Sequence, residues 1–248
     1  MQGTLKRRII LSLIGYKRFK VNMNLAIIIA ARLDSSRLPG KALLDISGRP
    51  ALGLLLERLR QSESGNHIIV ATTDRATDDP IAELAHNYNV QCFRGNSFDL
   101  IDRYANAMDY FDIDIAVRVT ADCPFVNGNI VSMAVREFNL ERKKQERLLV
   151  TTKGKMPVGL DVEVFDRESL AFLQTRPDLS DQHREHLTLY MYQRPELFNA
   201  ITVPKKSNSM VSSGHYTLDT QEDLDRLRII GQKIETLDDS IRIMTATE

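Results

Sequence analysis

The sequence predicts an α/β fold in which a mostly parallel sheet lies between helices. Short apolar runs, typical of strands, alternate with amphipathic helical stretches from residue 25 to about residue 152. The first run, residues 25–31, contains no polar side chain, which is typical of a strand buried on both faces of a parallel sheet. The 248 residues, 43% hydrophobic and 27% charged, are sufficient for one such domain with a large core.

The elements follow one another in a regular order through the first part of the chain. Strands are predicted at residues 25–31, 67–73, 90–93, 114–120 and 148–152. Helices are predicted between them at residues 51–61, from Asp78 onward, at 98–111 and at 129–140. Strand and helix alternating in this way imply parallel strands joined by right-handed crossovers.

From residue 156 the pattern changes. Residues 159–165 alternate apolar and acidic side chains, which predicts an antiparallel or edge strand. Helices are then predicted at 166–173 and 181–192, a strand at 198–203, a mobile loop at 206–214, a short strand at 215–218 and a helix from 220 to about 233. The later chain therefore leaves the regular alternation of strand and helix.

The net charge of zero hides an asymmetry. Residues 1–22 carry six Lys and Arg and no acid, so the remainder carries 27 basic against 33 acidic residues. A body that acidic, without a basic helix, is a poor nucleic-acid binder. The two cysteines lack CxxC spacing, and no run reaches the roughly 20 apolar residues of a membrane-spanning helix. A cytoplasmic protein without disulfides or stable membrane insertion is expected.

Residues 1–22 form a basic extension ahead of one predicted domain, residues 23–248. Their apolar part, residues 9–16, lacks a small-residue cleavage site, which argues against a signal peptide. Basic flanks around Ile and Leu suit a helix lying on a membrane surface. We favour the alternative, in which the natural start is Met23 and the extension is not native.

The loop after the first strand is rich in cations and hydroxyl groups. Its residues Arg32, Ser35, Arg37, Gly40 and Lys41 suit a phosphate cradle, because glycine permits close backbone approach and the cations supply charge. It is not a Walker A loop, since no glycine lies five residues before Gly40 and alanine stands where Ser or Thr would hold magnesium. A surface loop with solvated cations is the alternative.

Two aspartates follow predicted strands. Asp122 comes directly after the strand at 114–120, where a carboxylate would suit Mg²⁺ bound through nucleotide phosphates; the alternative is a turn before Pro124. Asp219 lies between a short strand and a helix. From the residues alone, a helix cap supplied by Asp219 or Thr220 is favoured there.

Two further motifs are weaker. His183 and His186 lie three residues apart on a predicted helix, and a hydrogen-bonding or substrate-contacting role is favoured over zinc. Asp112 and Asp114 match the DxD string of sugar-nucleotide glycosyltransferases. They precede their strand, however, and so are expected at the wrong edge of the sheet. The chain contains no GxSxG or HExxH motif.

Five segments resemble one family in their order along the chain: AIIIAARLDSSRLPGKAL, VRVTADCPFV, GLDVEVF, HREHLTLYMYQRPELF and LDTQEDLDRL. The chain resembles the cytidylyltransferases that make CMP-activated acidic sugars, most closely the branch of the spore coat polysaccharide biosynthesis protein SpsF. The opening and LDTxxDL motifs are shared with the 3-deoxy-manno-octulosonate cytidylyltransferases. The resemblance extends from about residue 25 to residue 228.

The resemblance implies a nucleotide-diphospho-sugar transferase-like fold, with a mostly parallel central sheet and a smaller antiparallel part formed by the later chain. It also implies CTP as co-substrate, Mg²⁺ as cofactor, a sugar acid as acceptor and a homodimer. It implies phosphate or ribose contacts for Arg32, Ser35, Arg37 and Lys41, and metal binding by Asp122 and Asp219. Thr72, Thr73, Arg94 and Gly95 would lie near the base, and Asp161, Glu163, Arg184 and His186 on the sugar side. Arg37, Lys41 and Asp122 are the implied catalytic residues.

Two positions depart from the family pattern. Ala121 replaces a common glycine, and Val158 replaces the usual aspartate before GLDVEV. Two alternatives to CMP transfer therefore remain open. One is a sugar-nucleotide glycosyltransferase of similar fold, which would release no pyrophosphate; the other is a nucleotide-binding module without catalytic activity.

Overall fold

The computed structural model describes residues 23–64, 67–204 and 214–245. Within these residues a seven-stranded sheet has the strand order β5-β4-β1-β6-β8-β7-β9, and β2 and β3 form a separate antiparallel pair. The strands are β1 (Leu25–Ala30), β2 (Asp45–Ile46), β3 (Arg49–Pro50), β4 (Ile68–Thr73), β5 (Gln91–Gly95), β6 (Ile115–Thr120), β7 (Leu148–Thr151), β8 (Glu163–Asp166) and β9 (Asn199–Thr202). The predicted α/β class is confirmed.

Helices cover both faces of this sheet. They are α1 (Ala51–Leu59), α2 (Asp79–Asn87), α3 (Leu100–Tyr110), α4 (Gly128–Glu141), α5 (Arg167–Gln174), α6 (Asp181–Glu185), α7 (Leu189–Gln193), α8 (Gln221–Gly231) and α9 (Ile234–Thr245). Single 3₁₀ turns occupy Lys41–Leu43 and Ala76–Asp78. Among the described residues, no helix has the length and apolar character needed to cross a membrane.

Strand β1 lies at the centre of the parallel half of the sheet. It pairs in parallel with β4 on one side and with β6 on the other. Ile27 and Ile29 join the core beneath α1 and α4, whereas Ile28 joins the core beneath α3, α5 and α7. Burial on both faces explains why residues 25–31 are apolar without alternation. The chain order reverses between β1 and β6, and the crevice at such a reversal is where open α/β sheets bind ligands.

Strand β8 supplies the antiparallel part of the main sheet. It lies between β6 and β7 and runs antiparallel to both. The alternating segment thus forms an interior strand, four residues long, and β9 is the edge strand on that side of the sheet. Its register sets Glu163 directly opposite Arg118 of β6, so that an acid and a base meet across the two strands.

Other elements differ in detail from the sequence prediction. The helix expected at 181–192 is two short helices, α6 and α7, because His186 leaves the helical conformation with φ −115° and ψ 77°. Residues 215–218 are extended but join no ladder, and α9 had not been predicted. The predictions for residues 1–22 and for most of the loop at 206–214 fall outside the described residues.

Gly159 is expected to tolerate no side chain. It has φ +87°, and a Cβ there would lie 2.4 Å from the backbone nitrogen of Thr217. Gly159→Ala should lower the free energy of unfolding in urea by about 2–4 kcal/mol. Gly154→Ala is the matched control, since Gly154 has φ +74° with nothing within 4 Å, and should cost only about 1–2 kcal/mol. Equal losses in the two variants would contradict the steric explanation.

Candidate active site

The loop after β1 folds back on itself before the first 3₁₀ turn. The Gly40 amide donates to the Leu33 carbonyl at 2.9 Å, and the Leu43 amide donates to the Gly40 carbonyl at 2.8 Å. Gly40 has φ +72°, a left-handed conformation that glycine adopts without steric penalty. This turn fixes the position from which the side chain of Lys41 departs.

Asp78 holds the same loop from the neighbouring strand. Its fully buried carboxylate accepts hydrogen bonds from the Leu33 amide, at 2.8 Å, and from the hydroxyl of Thr73. The sequence had indicated Asp78 only as the start of a helix. Thr73 thereby supports the loop through this aspartate, and its position near the nucleotide base stays a prediction.

Lys41 lies between the two predicted metal-binding aspartates. Its Nζ is 2.8 Å from Oδ2 of Asp122 and 2.8 Å from Oδ1 of Asp219. Burial lowers the pKa of Lys41, but the two carboxylates raise it by a larger amount, so the net shift is upward. Burial raises the pKa of Asp122 and Lys41 lowers it, with a net shift downward. Two carboxylates, 81 and 178 residues from Lys41 in sequence, thus converge on its ammonium group.

Asp219 is free to face this site because another residue caps the helix. Thr220 is the N-cap of α8, and its hydroxyl accepts from the Asp223 amide at 3.2 Å. The Asp219 carboxylate instead pairs with Lys41 and, at 3.0 Å, with Nη2 of Arg37. The cap role considered for Asp219 therefore belongs to Thr220.

A cavity of about 350 Å³ opens at the carboxyl ends of β1 and β6. Its walls include seven of the predicted site residues: Arg32, Ser35, Arg37, Lys41, Asp122, His186 and Asp219. The cations become less exposed across the site, from a side-chain exposure of 66% for Arg37 to 15% for Lys41. The loop and the two distant aspartates are thus parts of one site.

Seven other predicted site residues do not line this cavity. Thr72, Thr73, Arg94, Gly95, Asp161, Glu163 and Arg184 lie outside its walls. Arg94 donates to the Thr73 carbonyl at 3.1 Å, and Arg184 pairs with Asp99. Burial raises the pKa of Asp161 to about 6. The roles of these seven residues beside the base and the sugar stay predictions.

The remaining motifs have clear positions. His183 belongs to the capping box of α6, where its ring contacts Ser180 at 3.0 Å, while His186 lines the cavity. Asp114 lies at the start of β6, where its amide donates to the Asn24 carbonyl at 2.8 Å. Asn24 precedes β1, so the DxD string lies at the edge of the sheet opposite the cavity.

Three charged residues of the cavity wall had not been predicted as site residues. Arg103 on α3 and Arg118 on β6 line the cavity, as does Glu185, which pairs with Arg32 at 3.1 Å. A charged residue within an apolar strand is a signal that could have identified Arg118, because an arginine there must have a partner. Arg103 is only 4% exposed, and its hydrogen bonds go to the backbone carbonyls of Asn96 and Ser97.

Glu163 is expected to link stability to pH. Burial raises its pKa, but Arg118 and Lys153 lower it to about 2, below the ordinary 4.5. A depressed carboxyl pKa stabilises the fold above pH 4.5, by about 3 kcal/mol, and this contribution falls as the pH drops toward 2. Glu163→Gln should therefore be less stable than the wild type at pH 7, and about 2 kcal/mol of the difference should vanish by pH 3. Urea unfolding of both proteins at pH 7 and pH 3 measures this difference in stability. The same difference at both pH values would contradict the assigned pKa.

Comparison with known proteins identifies the family. The cytidylyltransferase family model matches residues 26–240. The chain belongs to the cytidylyltransferase family. Membership makes it a nucleotidyltransferase.

Two relatives of this cytidylyltransferase family member illustrate the likeness. The spore coat polysaccharide biosynthesis protein SpsF of Bacillus subtilis is 27% identical over 210 residues, which cover 83% of this chain and 85% of SpsF. A 3-deoxy-manno-octulosonate cytidylyltransferase of Geobacter sulfurreducens is 26% identical over 255 residues, covering 91% of this chain and 96% of the relative. Both groups named by the sequence motifs are thus found, and that resemblance is confirmed.

Solved cytidylyltransferase structures share the fold. A cytidylyltransferase from Leptospira borgpetersenii superposes with a TM-score of 0.76 at 30% identity, covering 92% of this chain and 99% of that one. CMP:2-keto-3-deoxy-manno-octonic acid synthetase in complex with CTP superposes with a TM-score of 0.62 at 17% identity, covering 85% and 99%. The second likeness establishes the fold alone.

The donor set of this cytidylyltransferase suits magnesium delivered with a nucleotide. Two carboxylates already converge on a cation, the Lys41 ammonium. Within the described ranges, no three His, Cys, Asp or Glu side chains form a group that could hold a metal ion. Mg²⁺ in nucleotide sites is typically bound by one or two carboxylates together with phosphates, so Asp122 and Asp219 fit it.

The departure at Ala121 is accommodated. Ala121 is not among the described residues with positive φ, so the glycine common in this family is not required for the turn before Asp122. Val158, the second departure, is 54% exposed and lies outside the cavity walls.

Proposed function

We propose that the chain transfers CMP from CTP to a sugar acid and releases pyrophosphate. The observation that carries this proposal is the convergence of the loop cations and two carboxylates on one cavity between β1 and β6. The family and the names of the relatives support CTP as the nucleotide and a sugar acid as the acceptor. The name of SpsF supports a role in surface-polysaccharide synthesis.

In this reaction an oxygen of the acceptor attacks the α-phosphorus of CTP. The new bond joins that oxygen to the α-phosphorus, and the bond from the α-phosphorus to the bridging oxygen of pyrophosphate breaks. Catalysis of this type rests mainly on positioning and on stabilising negative charge. Asp122 and Asp219 would hold Mg²⁺, which offsets charge on the triphosphate when bound.

The loop cations supply further positive charge to offset the negative charge of the triphosphate. Arg37 and Lys41 now pair with Asp219, and phosphate oxygens would replace that carboxylate as their partners. Both side chains then stabilise the charge that accumulates on the departing pyrophosphate. Lys41 is preorganised for this role, since the 3₁₀ turn and two ion pairs fix its position before the nucleotide arrives.

Pyrophosphate release is the test. The enzyme is incubated with Mg²⁺, one of CTP, UTP, ATP or GTP, and either 3-deoxy-manno-octulosonate or N-acetylneuraminate. We expect release with CTP and an acid acceptor, and loss of release when EDTA removes the metal. CTP binding without release for any acceptor would favour a non-catalytic nucleotide-binding module. Equal release with the other nucleotides would contradict the assignment of CTP.

A further inference from the structure

Arg118 is a cavity residue to which the proposed mechanism assigns no role. It lies on β6, four residues before Asp122, and lines the cavity with a side-chain exposure of 14%. Its cross-strand neighbour on β8 is Glu163, whose Oε2 lies 2.5 Å from Nη1 of Arg118. The register of the antiparallel strand therefore presents a buried guanidinium to the cavity.

Glu163 already has a full set of partners. Beyond Arg118, its oxygens receive hydrogen bonds from the Tyr192 hydroxyl at 2.7 Å, the Thr188 hydroxyl at 3.0 Å and Lys153 Nζ at 3.1 Å. The residue is 1% exposed, so it does not contact solvent or a ligand directly. Glu163 is therefore suited to orient Arg118. Because Lys153 also pairs with Glu163, the two cations outnumber the one carboxylate, and the cluster keeps a positive charge.

Arg118 itself is only partly satisfied. Its Nε is buried and has no hydrogen-bond partner among the described residues. Unpaired buried donors are rare in folded proteins, so this Nε needs a partner that the described protein groups do not supply. Because Glu163 takes Nη1, the edge formed by Nε and Nη2 remains. Two parallel N–H donors on one edge match the two oxygens of a carboxylate.

The position of Arg118 favours the acceptor over the triphosphate. The cations assigned to the phosphates, Arg32, Arg37 and Lys41, all come from the loop after β1. Arg118 is instead tied through Glu163 to β8 and to Thr188 and Tyr192 of α7 and its N-cap. The loop cations and Arg118 therefore reach the cavity from different elements of the fold, which suits two separate anions.

We propose that Arg118, oriented by Glu163, binds the carboxylate of the acceptor sugar and so selects acids over neutral sugars. This inference rests on the proposed CMP transfer. It makes Arg118 a specificity-determining residue and Glu163 a positioning residue.

The test compares each acid with its C1 amide in the wild type and in Arg118→Gln. With CTP and Mg²⁺, we expect Arg118→Gln to raise KM for 3-deoxy-manno-octulosonate or N-acetylneuraminate by about 10–100-fold, the value of one charged hydrogen-bonded pair. KM for CTP should change less than about twofold, and the preference for acid over amide should disappear. Arg118→Lys should restore part of the preference, because it retains the charge without the paired donors.

The controls separate this role from loss of folding. Arg58→Gln removes another buried arginine, one paired with Asp238 outside the cavity, and should lower the melting temperature without changing the acid preference. Glu163→Gln should weaken the preference with Arg118 still present. A preference unchanged in Arg118→Gln, or a rise in KM for CTP instead, would overturn the inference and leave CMP transfer intact.

Binding without reaction covers the case in which no acceptor turns over. Each acid is titrated into the protein without CTP or metal, and its dissociation constant is measured by calorimetry. Weaker binding to Arg118→Gln supports the inference even if the proposed function fails. Equal binding to both proteins, or binding to neither, rejects it. Turnover with neutral or phosphorylated sugars alone rejects the carboxylate as ligand.

Discussion

Lys41→Ala is expected to lower kcat for pyrophosphate release by about 10²–10³-fold, the usual effect of removing one preorganised donor to a developing negative charge. The reason is that Lys41 is the least exposed cation of the loop and the one that contacts both aspartates. The measurement is steady-state release with CTP and an acid acceptor. Lys144→Ala is the matched control and should retain wild-type kcat, since Lys144 is 66% exposed and pairs with Glu141 on the surface.

The same variant has a second expected property, independent of turnover. Without Lys41, the carboxylates of Asp122 and Asp219 face each other across a site that still attracts cations. Mg²⁺ alone should therefore raise the melting temperature of Lys41→Ala more than that of the wild type, because a ligand that binds only the folded state stabilises it. Equal shifts in the two proteins would count against these aspartates as a magnesium site.

Asp122→Asn is expected to lower kcat by at least about 10²-fold while the protein remains folded. The amide keeps the size of the carboxylate but removes the charge that would bind Mg²⁺. Circular dichroism should match the wild type, and the thermal shift caused by Mg²⁺ should be lost. Asp225→Asn, on the exposed surface of α8, is the control and should have no effect on turnover. Near-wild-type turnover in Asp122→Asn would remove this residue from the mechanism.

The positions of the central residues could be predicted because they follow strand ends. Arg32 and Asp122 closely follow the ends of β1 and β6, and Lys41 ends the loop that Arg32 begins. The carboxyl ends of parallel strands meet at one edge of the sheet. The role of Asp219 was harder to predict, since the residues around it favoured a helix cap. Only the structure separates the roles, with Thr220 capping α8 and Asp219 facing Lys41.

Contacts that depend on register or on side-chain packing could not be predicted from the sequence. The pairing of Arg118 with Glu163 depends on β8 lying antiparallel beside β6, and no local pattern specifies that neighbour. The support of the loop by Asp78 depends likewise on a contact 45 residues away in sequence. His186 reaches the cavity because the predicted helix breaks there.

Phosphorus NMR of a reaction containing CTP, Mg²⁺ and a sugar acid tests CMP transfer most directly. We expect the α-phosphorus of CTP to become the phosphodiester of a CMP–sugar while one pyrophosphate forms for each CMP transferred. The same mixture with Asp122→Asn should retain intact CTP. Formation of CDP and a phosphorylated sugar, or unchanged CTP with every acid, would contradict CMP transfer by this chain.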